Sequence, residues 1–194
     1  MNLVRVFIAV EIPPHLKEKL HQETESLRRE INRPLVRWVP VENIHLTLKF
    51  LGEKPLSKLD ALKESLAEEV AHHAPFEISI RNLGVFASFS RPRVIWAGVG
   101  EDNGKLLSLQ KSVERAASRM GSVPEKKRFS AHLTLARVKQ GIVQSERENI
   151  RTIIEANQRL NFGRIQVNSI HLFESQLKPT GAVYRSLFEM PLEG

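Results

Sequence analysis

Apolar positions along the chain switch between two periods, and the switches divide it into short strand-like and helix-like pieces. Residues 1–11 read as a first β-strand, an apolar run interrupted by Arg5 and closed by Glu11. A first helix is predicted after Pro13-Pro14, running towards Arg29, since proline is tolerated in a first turn. Leu59, Leu62, Leu66 and Val70 recur at steps of three and four after Ser57, a candidate N-cap. Leu106, Leu109, Val113, Ala116 and Met120 do the same, with Gly121 where a C-terminal glycine belongs. Ser145 and Glu148 have the spacing of a capping box for a helix carrying Ile150, Ile153, Ile154 and Asn157. Residues 177–181 and Ser90-Arg91-Pro92 read as hairpin connections, so an α+β fold with mostly antiparallel sheet is expected.

The pattern is used twice. His45-Leu46-Thr47-Leu48 recurs unchanged as His132-Leu133-Thr134-Leu135, 87 residues later. At the same offset Asn82-Leu83-Gly84-Val85-Phe86-Ala87-Ser88 aligns with Ser169-Ile170-His171-Leu172-Phe173-Glu174-Ser175, and Ile78 and Ile80 align with Ile165 and Val167. Val6-Phe7-Ile8-Ala9-Val10 resembles the stretch from Val94 to Val99, shifted by about one residue. So long a period is not that of a solenoid. It predicts one domain, 1–194, of two lobes related by a pseudo-two-fold axis, with repeats of roughly 4–90 and 93–190, helices outside and a central cleft.

Strand alternation places His45, Thr47 and Lys49 on one face, with Leu46, Leu48 and Phe50 on the core side. The second copy presents Arg128, Ser130, His132 and Thr134 together. Two imidazoles facing one cleft suit general acid–base catalysis, one taking a proton from a nucleophile and one giving a proton to a leaving oxygen. Hydroxyls such as Thr47 and Thr134, with cations, suit the non-bridging oxygens of a phosphate. Lys49 and Arg128 share the parity of their histidines. Arg137 has the wrong parity and reaches the cleft only across a bend or bulge.

Composition narrows the chemistry. The chain has no cysteine, which excludes disulfides, thiolate metal sites and thiol nucleophiles and suits a reducing compartment, the cytoplasm. No uncharged stretch is long enough to span a bilayer, so a soluble protein is expected. A net charge of +7 and a pI near 9.9 favour polyanionic partners. His72-His73 closes a predicted helix without metal-ligand companions, His171 reads as structural or rim, and Trp38 and Phe50 offer surfaces for base stacking, although alternation favours the core for Phe50. Lys126-Lys127-Arg128 offers a track for a nucleic-acid backbone.

These stretches resemble the two-histidine phosphoesterase superfamily, and within it the RNA 2',3'-cyclic phosphodiesterases formerly called 2'-5' RNA ligases. The resemblance spans the chain. It rests on Arg5-Val6-Phe7-Ile8-Ala9-Val10, on Arg37-Trp38-Val39-Pro40 leading to His45-Leu46-Thr47-Leu48-Lys49-Phe50-Leu51-Gly52-Glu53, on Val94-Ile95-Trp96-Ala97-Gly98-Val99, on Phe129-Ser130-Ala131-His132-Leu133-Thr134-Leu135-Ala136-Arg137, and on Leu172-Phe173-Glu174-Ser175. Ala131 departs from the proline usual before the second histidine. The resemblance implies opening of a 2',3'-cyclic phosphate to a 2'-phosphate, with His45 as proton donor to the 3' oxygen, His132 as base for water, and Arg137 binding phosphate. No cofactor and no metal are expected, since no set of Asp, Glu and His ligands is clustered near either motif, and a monomer without a membrane partner is expected. The implied substrate is an RNA end, such as that of a tRNA half, with a small cyclic nucleotide as a rival, and the reverse reaction would join ends through a 2'-5' bond. A non-catalytic RNA- or nucleotide-binding protein reusing the cleft is the alternative of a different class.

Overall fold

The computed structural model describes residues 2–31, 33–100, 103–179 and 181–194. In chain order the elements are β1 (Leu3–Glu11), α1 (Pro14–Glu23), α2 (Glu25–Glu30), β2 (Val36–Trp38), β3 (His45–Pro55), α3 (Leu59–Val70) and β4 (Phe76–Ser88). There follow β5 (Arg91–Gly100), α4 (Lys105–Arg119), β6 (His132–Val138), α5 (Gln144–Ala156), β7 (Asn161–Val167), β8 (Ser169–Lys178) and β9 (Gly181–Pro191). The strands form one antiparallel sheet in the order β7-β4-β5-β6-β3-β1-β8-β9, with β2 added to β6.

The two lobes meet where β3 and β6 touch, through the pair Leu46 and Leu133. Outward from that seam lie β5, β4 and β7 on one side and β1, β8 and β9 on the other. The repeats of the sequence are therefore not the lobes. Strand β4 comes from the first repeat yet completes the sheet of β5 and β6, while β8 from the second repeat completes that of β1 and β3. Neither repeat closes its own sheet.

The hairpins form where expected, with Ser88 opposite Arg91 and Lys178 opposite Gly181; Thr180 lies outside the described residues. The first helix is broken at Thr24, whose hydroxyl donates to the Leu20 carbonyl at 2.7 Å. Ser57 is not a cap, because it sits inside a 3-10 turn, Leu56–Lys58, that leads directly into α3. Nor do Ser145 and Glu148 form a capping box. The Glu146 carboxylate accepts from the Val143 N–H at 2.8 Å, which satisfies a free donor two residues earlier and starts α5 at Gln144. Gly121 does follow α4 in the left-handed conformation, φ +75°.

The helices cover one face of the sheet. Val6, Ile8 and Val10 of β1, Leu46 and Leu48 of β3, and Leu133 and Leu135 of β6 are buried there with apolar residues of all five helices. Each such side chain contributes roughly 1.5–3 kcal/mol through burial. On the opposite face Phe7, Ala9 and Phe173 form a separate small cluster, with Tyr184 packed against it. No helix among the described residues is long and apolar enough to cross a membrane.

Candidate active site

The face away from the helices carries the polar side of both motif strands, and a β-bulge in each decides what that side contains. In β3, Ala9 lies opposite Thr47 while Ile8 lies opposite Lys49, so Leu48 is an extra residue. In β6, Trp96 lies opposite Thr134 while Ile95 lies opposite Ala136, so Leu135 is the extra residue at the equivalent position. A bulge puts two residues on one strand against one on its partner and reverses the parity beyond it.

Two expectations are corrected by this. Lys49 is 6% exposed and faces the helices, where its ammonium donates to the Glu114 carboxylate at 2.6 Å and to the Val123 carbonyl at 3.1 Å. It has no place in the cleft. Phe50, expected in the core, is 68% exposed on the cleft face opposite Phe7, their ring centroids 6.0 Å apart. The same reversal brings Arg137 onto the face of Thr134 and His132, resolving its parity. Phe50 and Arg137 are equivalent positions of the two repeats.

Both histidines are hooked to backbone in the same way. The Nδ1 of His45 lies 2.8 Å from the Asn43 carbonyl oxygen, and the Nδ1 of His132 lies 2.7 Å from that of Ser130. A carbonyl oxygen only accepts, so each Nδ1 carries the hydrogen and each Nε2 is the basic nitrogen of the neutral ring. Asn43 is itself held by its side-chain amide, which donates to the Ala182 carbonyl at 2.7 Å at the start of β9.

The surroundings of the two rings differ. His45 lies against Phe7 at 4.7 Å and edge-on to Tyr184 at 5.2 Å, whereas His132 meets the edge of Phe86 at 4.9 Å. Burial pushes the His45 imidazole down from 6.5 to about 4; the bond to Asn43 opposes this, and the positive charges of Lys17, His132 and Arg137 add to it. The pairing of Leu46 with Leu133 sets the two motif strands side by side, with His45, His132 and Arg137 on the same face.

Thr47 and Thr134 are partly buried on the cleft side of their strands. Arg128 is exposed on the segment leading into β6, together with Lys126 and Lys127. Trp38 is not a stacking platform: it pairs with buried Ala136, packs on the main core, and is covered by the Arg28 guanidinium at 4.8 Å. His73 pairs with the Ser112 hydroxyl at 2.9 Å. His171 is buried on the cleft side opposite Ala9, between the hydroxyls of Ser186 at 3.1 Å and Ser169 at 3.3 Å. Among the described residues no three His, Cys, Asp or Glu side chains are grouped to hold a metal ion.

Sequence reasoning missed Phe7, Phe173 and Tyr184 of the aromatic wall, and alternation turned Phe50, a stacking candidate, towards the core. The signal was present for Phe50: if a bulge is needed to admit Arg137, the identical tetrapeptide 87 residues earlier predicts one at Leu48.

The model of the LigT-like phosphoesterases matches residues 10–96 and 99–184, one match per repeat. An RNA 2',3'-cyclic phosphodiesterase of Aquifex aeolicus is 31% identical over the whole of both chains. One from Archaeoglobus fulgidus is 34% identical over 95% of this chain and 98% of its own. A crystal structure of a Thermus thermophilus protein superposes with a TM-score of 0.79 at 28% identity, covering 98% of each chain. With both repeats matched and relatives of this identity aligned end to end, the chain belongs to the LigT-like phosphoesterase family.

Proposed function

We propose that the protein opens 2',3'-cyclic phosphate ends of RNA to 2'-phosphates by acid–base catalysis between His45 and His132. The observation that carries this reading is the repeated hook: two imidazoles fixed through Nδ1 to backbone carbonyls and presenting Nε2 to one cleft. Relatives named RNA 2',3'-cyclic phosphodiesterase supply the substrate class.

In this reaction a water oxygen attacks phosphorus while His132 Nε2 takes its proton, the bond from phosphorus to the 3' oxygen breaks, and His45 Nε2 protonates that oxygen. The 2' oxygen stays on phosphorus. Solvent then restores both histidines. The hydroxyls of Thr47 and Thr134 and the guanidinium of Arg137 hold the non-bridging oxygens as negative charge builds on them. A 5'-hydroxyl in place of water would give a 2'-5' bond through the same groups.

His45 is neutral at neutral pH in the free protein. A phosphodiester anion beside it pairs with the buried imidazolium and so offsets both the desolvation and the lesser effect of the cations that oppose its protonation; substrate and proton enter together. The excess of basic residues, with Lys126, Lys127 and Arg128 exposed before β6, favours an RNA end over a small cyclic nucleotide. The test is incubation of a short RNA ending in a 2',3'-cyclic phosphate, with excess chelator, and identification of the product. Conversion to a 2'-phosphate is expected; binding without turnover at any pH, by folded protein, would replace the enzyme with a binding module.

A further inference from the structure

Strand β8 follows β1 only from His171 to Glu174, opposite Ala9 to Val6. Beyond Glu174 the hairpin of β8 and β9 continues as a free arm, residues 175–178 paired with 181–184 and with no third strand among the described residues. Its root is pinned at the buried Glu174, whose carboxylate accepts from the Arg185 guanidinium at 2.8 and 3.0 Å and from the Gln176 amide at 3.2 Å. From there the arm crosses β1 on the cleft side. Tyr184 meets Phe7 of β1 edge-on at 5.0 Å and His45 of β3 edge-on at 5.2 Å.

At its far end the arm rests on Arg37 of β2 and on Asn43, which lies just before β3. A Cβ added to Gly181 would stand 3.3 Å from Nη2 of Arg37. The side-chain amide of Asn43 donates to the Ala182 carbonyl at 2.7 Å, and among the described residues this is the one hydrogen bond that joins residues 175–184 to another element. The carbonyl oxygen of the same residue holds Nδ1 of His45 at 2.8 Å. Asn43 therefore reaches the ring through its backbone and the cover of the ring through its side chain.

The other lobe does without such a tie. Ser130 stands where Asn43 does, 87 residues on, and its carbonyl hooks His132, but its hydroxyl makes no hydrogen bond among the described residues. The aromatic edge at His132 is that of Phe86 in β4, opposite Val94 of β5, and Val94 is in turn opposite Arg137 of β6. The ladder itself thus holds Phe86 in place. Tyr184 lies on the outermost strand, past the point where β8 leaves β1, and only the bond from Asn43 supplies what the ladder supplies on the other side.

Resting on the function proposed above, we propose that Asn43 is a positioning residue for the proton donor: its amide holds the β8–β9 arm down so that Tyr184 covers the His45 ring, while its carbonyl fixes the direction of that ring. An imidazole held at Nδ1 and flanked by an aromatic edge keeps Nε2 aimed at one point, and proton transfer depends on that aim. A neutral amide suits the task, because it grips a carbonyl without adding charge beside a group that gains and loses a proton. Lifting the arm would admit water to the ring and remove part of the burial that resists its protonation. Apart from Tyr184, the charged and titratable residues around the ring are Lys17 of α1, His132 and Arg137 of β6, Glu11 of β1 and Glu42, all outside the arm and unmoved by its lifting.

Imidazole NMR signals read the arm without requiring turnover. In Asn43→Ala protein, with folding checked by thermal melting, the His45 ring should titrate about one pH unit above the wild type, the shift that corresponds to a tenfold loss of arm closure. Tyr184→Ala should raise the titration as well, and adding Asn43→Ala to it should change little further, because both act through the arm. Should Asn43→Ala not fold, Asn43→Ser, whose hydroxyl stops short of Ala182, takes its place. On an RNA end, the Asn43 variant should lose roughly tenfold in kcat with KM nearly unchanged. An unchanged titration in the folded variant, or effects of the two substitutions that simply add, would overturn the proposal. Absence of turnover by the wild type would count against the phosphodiesterase reading instead, and the NMR titration would still decide whether Asn43 holds the arm.

Discussion

The lobe around His45 and the lobe around His132 start from the same tetrapeptide, the same bulge and the same backbone hook, and they end in different surroundings. What is shared lies on the motif strands and fixes the two Nε2 atoms. What differs is contributed by residues at equivalent places nearby. Phe50 stands where the other lobe has Arg137, Ala9 where it has Trp96, and Glu11 where it has Gly98. A duplicated strand thus supplies two imidazoles hooked alike, and their neighbours differ: His45 sits among Phe7, Phe173 and Tyr184, whereas His132 meets Phe86. In the proposed reaction, symmetry supplies the pair of groups that acid–base chemistry needs, and asymmetry gives each a separate task.

Breaking the shared part has the largest expected effect. His45→Ala and His132→Ala should each lower kcat by roughly 10²–10⁴-fold, the range for removing a general acid or base, with RNA binding largely retained. A gel-based turnover assay with a separate binding measurement checks both halves of that statement.

The asymmetry can be sharpened by pH. In the free protein the His45 ring should stay neutral until about pH 4, and inorganic phosphate should raise the pH at which it titrates, both visible in imidazole NMR signals. Because the unfolded chain takes the proton near 6.5 and the folded one resists it to about 4, stability is lost as pH falls through that window. The loss should amount to about 3 kcal/mol relative to His45→Gln, measured by denaturant titration.

Arg137→Ala should reduce kcat/KM by roughly 10–100-fold through lost contact with the phosphate, whereas Phe50→Ala at the equivalent place should act mainly on KM. Equal losses in kcat would mean that the two positions do the same work. The smallest effect belongs to a residue that left the cleft altogether. Lys49→Met should cost about 2 kcal/mol of stability by stranding Glu114, with little change in the turnover of folded protein.

Much of this was legible from the order of residues. The repeat located both histidines, both threonines and the pseudo-two-fold relation, because identical short strands with alternating leucines have few ways to pack. The bulges were not legible from alternation, which assumes that every residue of a strand is paired. Leu48 and Leu135 are extra residues against β1 and β5, and each turned two neighbours around: Lys49 inward and Phe50 outward, Ala136 inward and Arg137 outward. The exchange of β4 and β8 between lobes was hidden for another reason, since pairing across the sheet leaves no mark within either strand. The aromatic niche of His45 is assembled from β1, β8 and β9, three separate stretches of the chain, and only tertiary placement joins them.

The central claim is that His45 gives the proton and His132 takes one. It is tested most directly with an RNA end whose cyclic phosphate has sulfur in place of the 3' oxygen, because a thiolate leaves without being protonated. The account predicts that His45→Ala protein recovers most of its lost rate on this substrate and that His132→Ala protein does not. Recovery by His132→Ala alone would reverse the assignment, and recovery by neither would contradict a proton donor at the leaving oxygen.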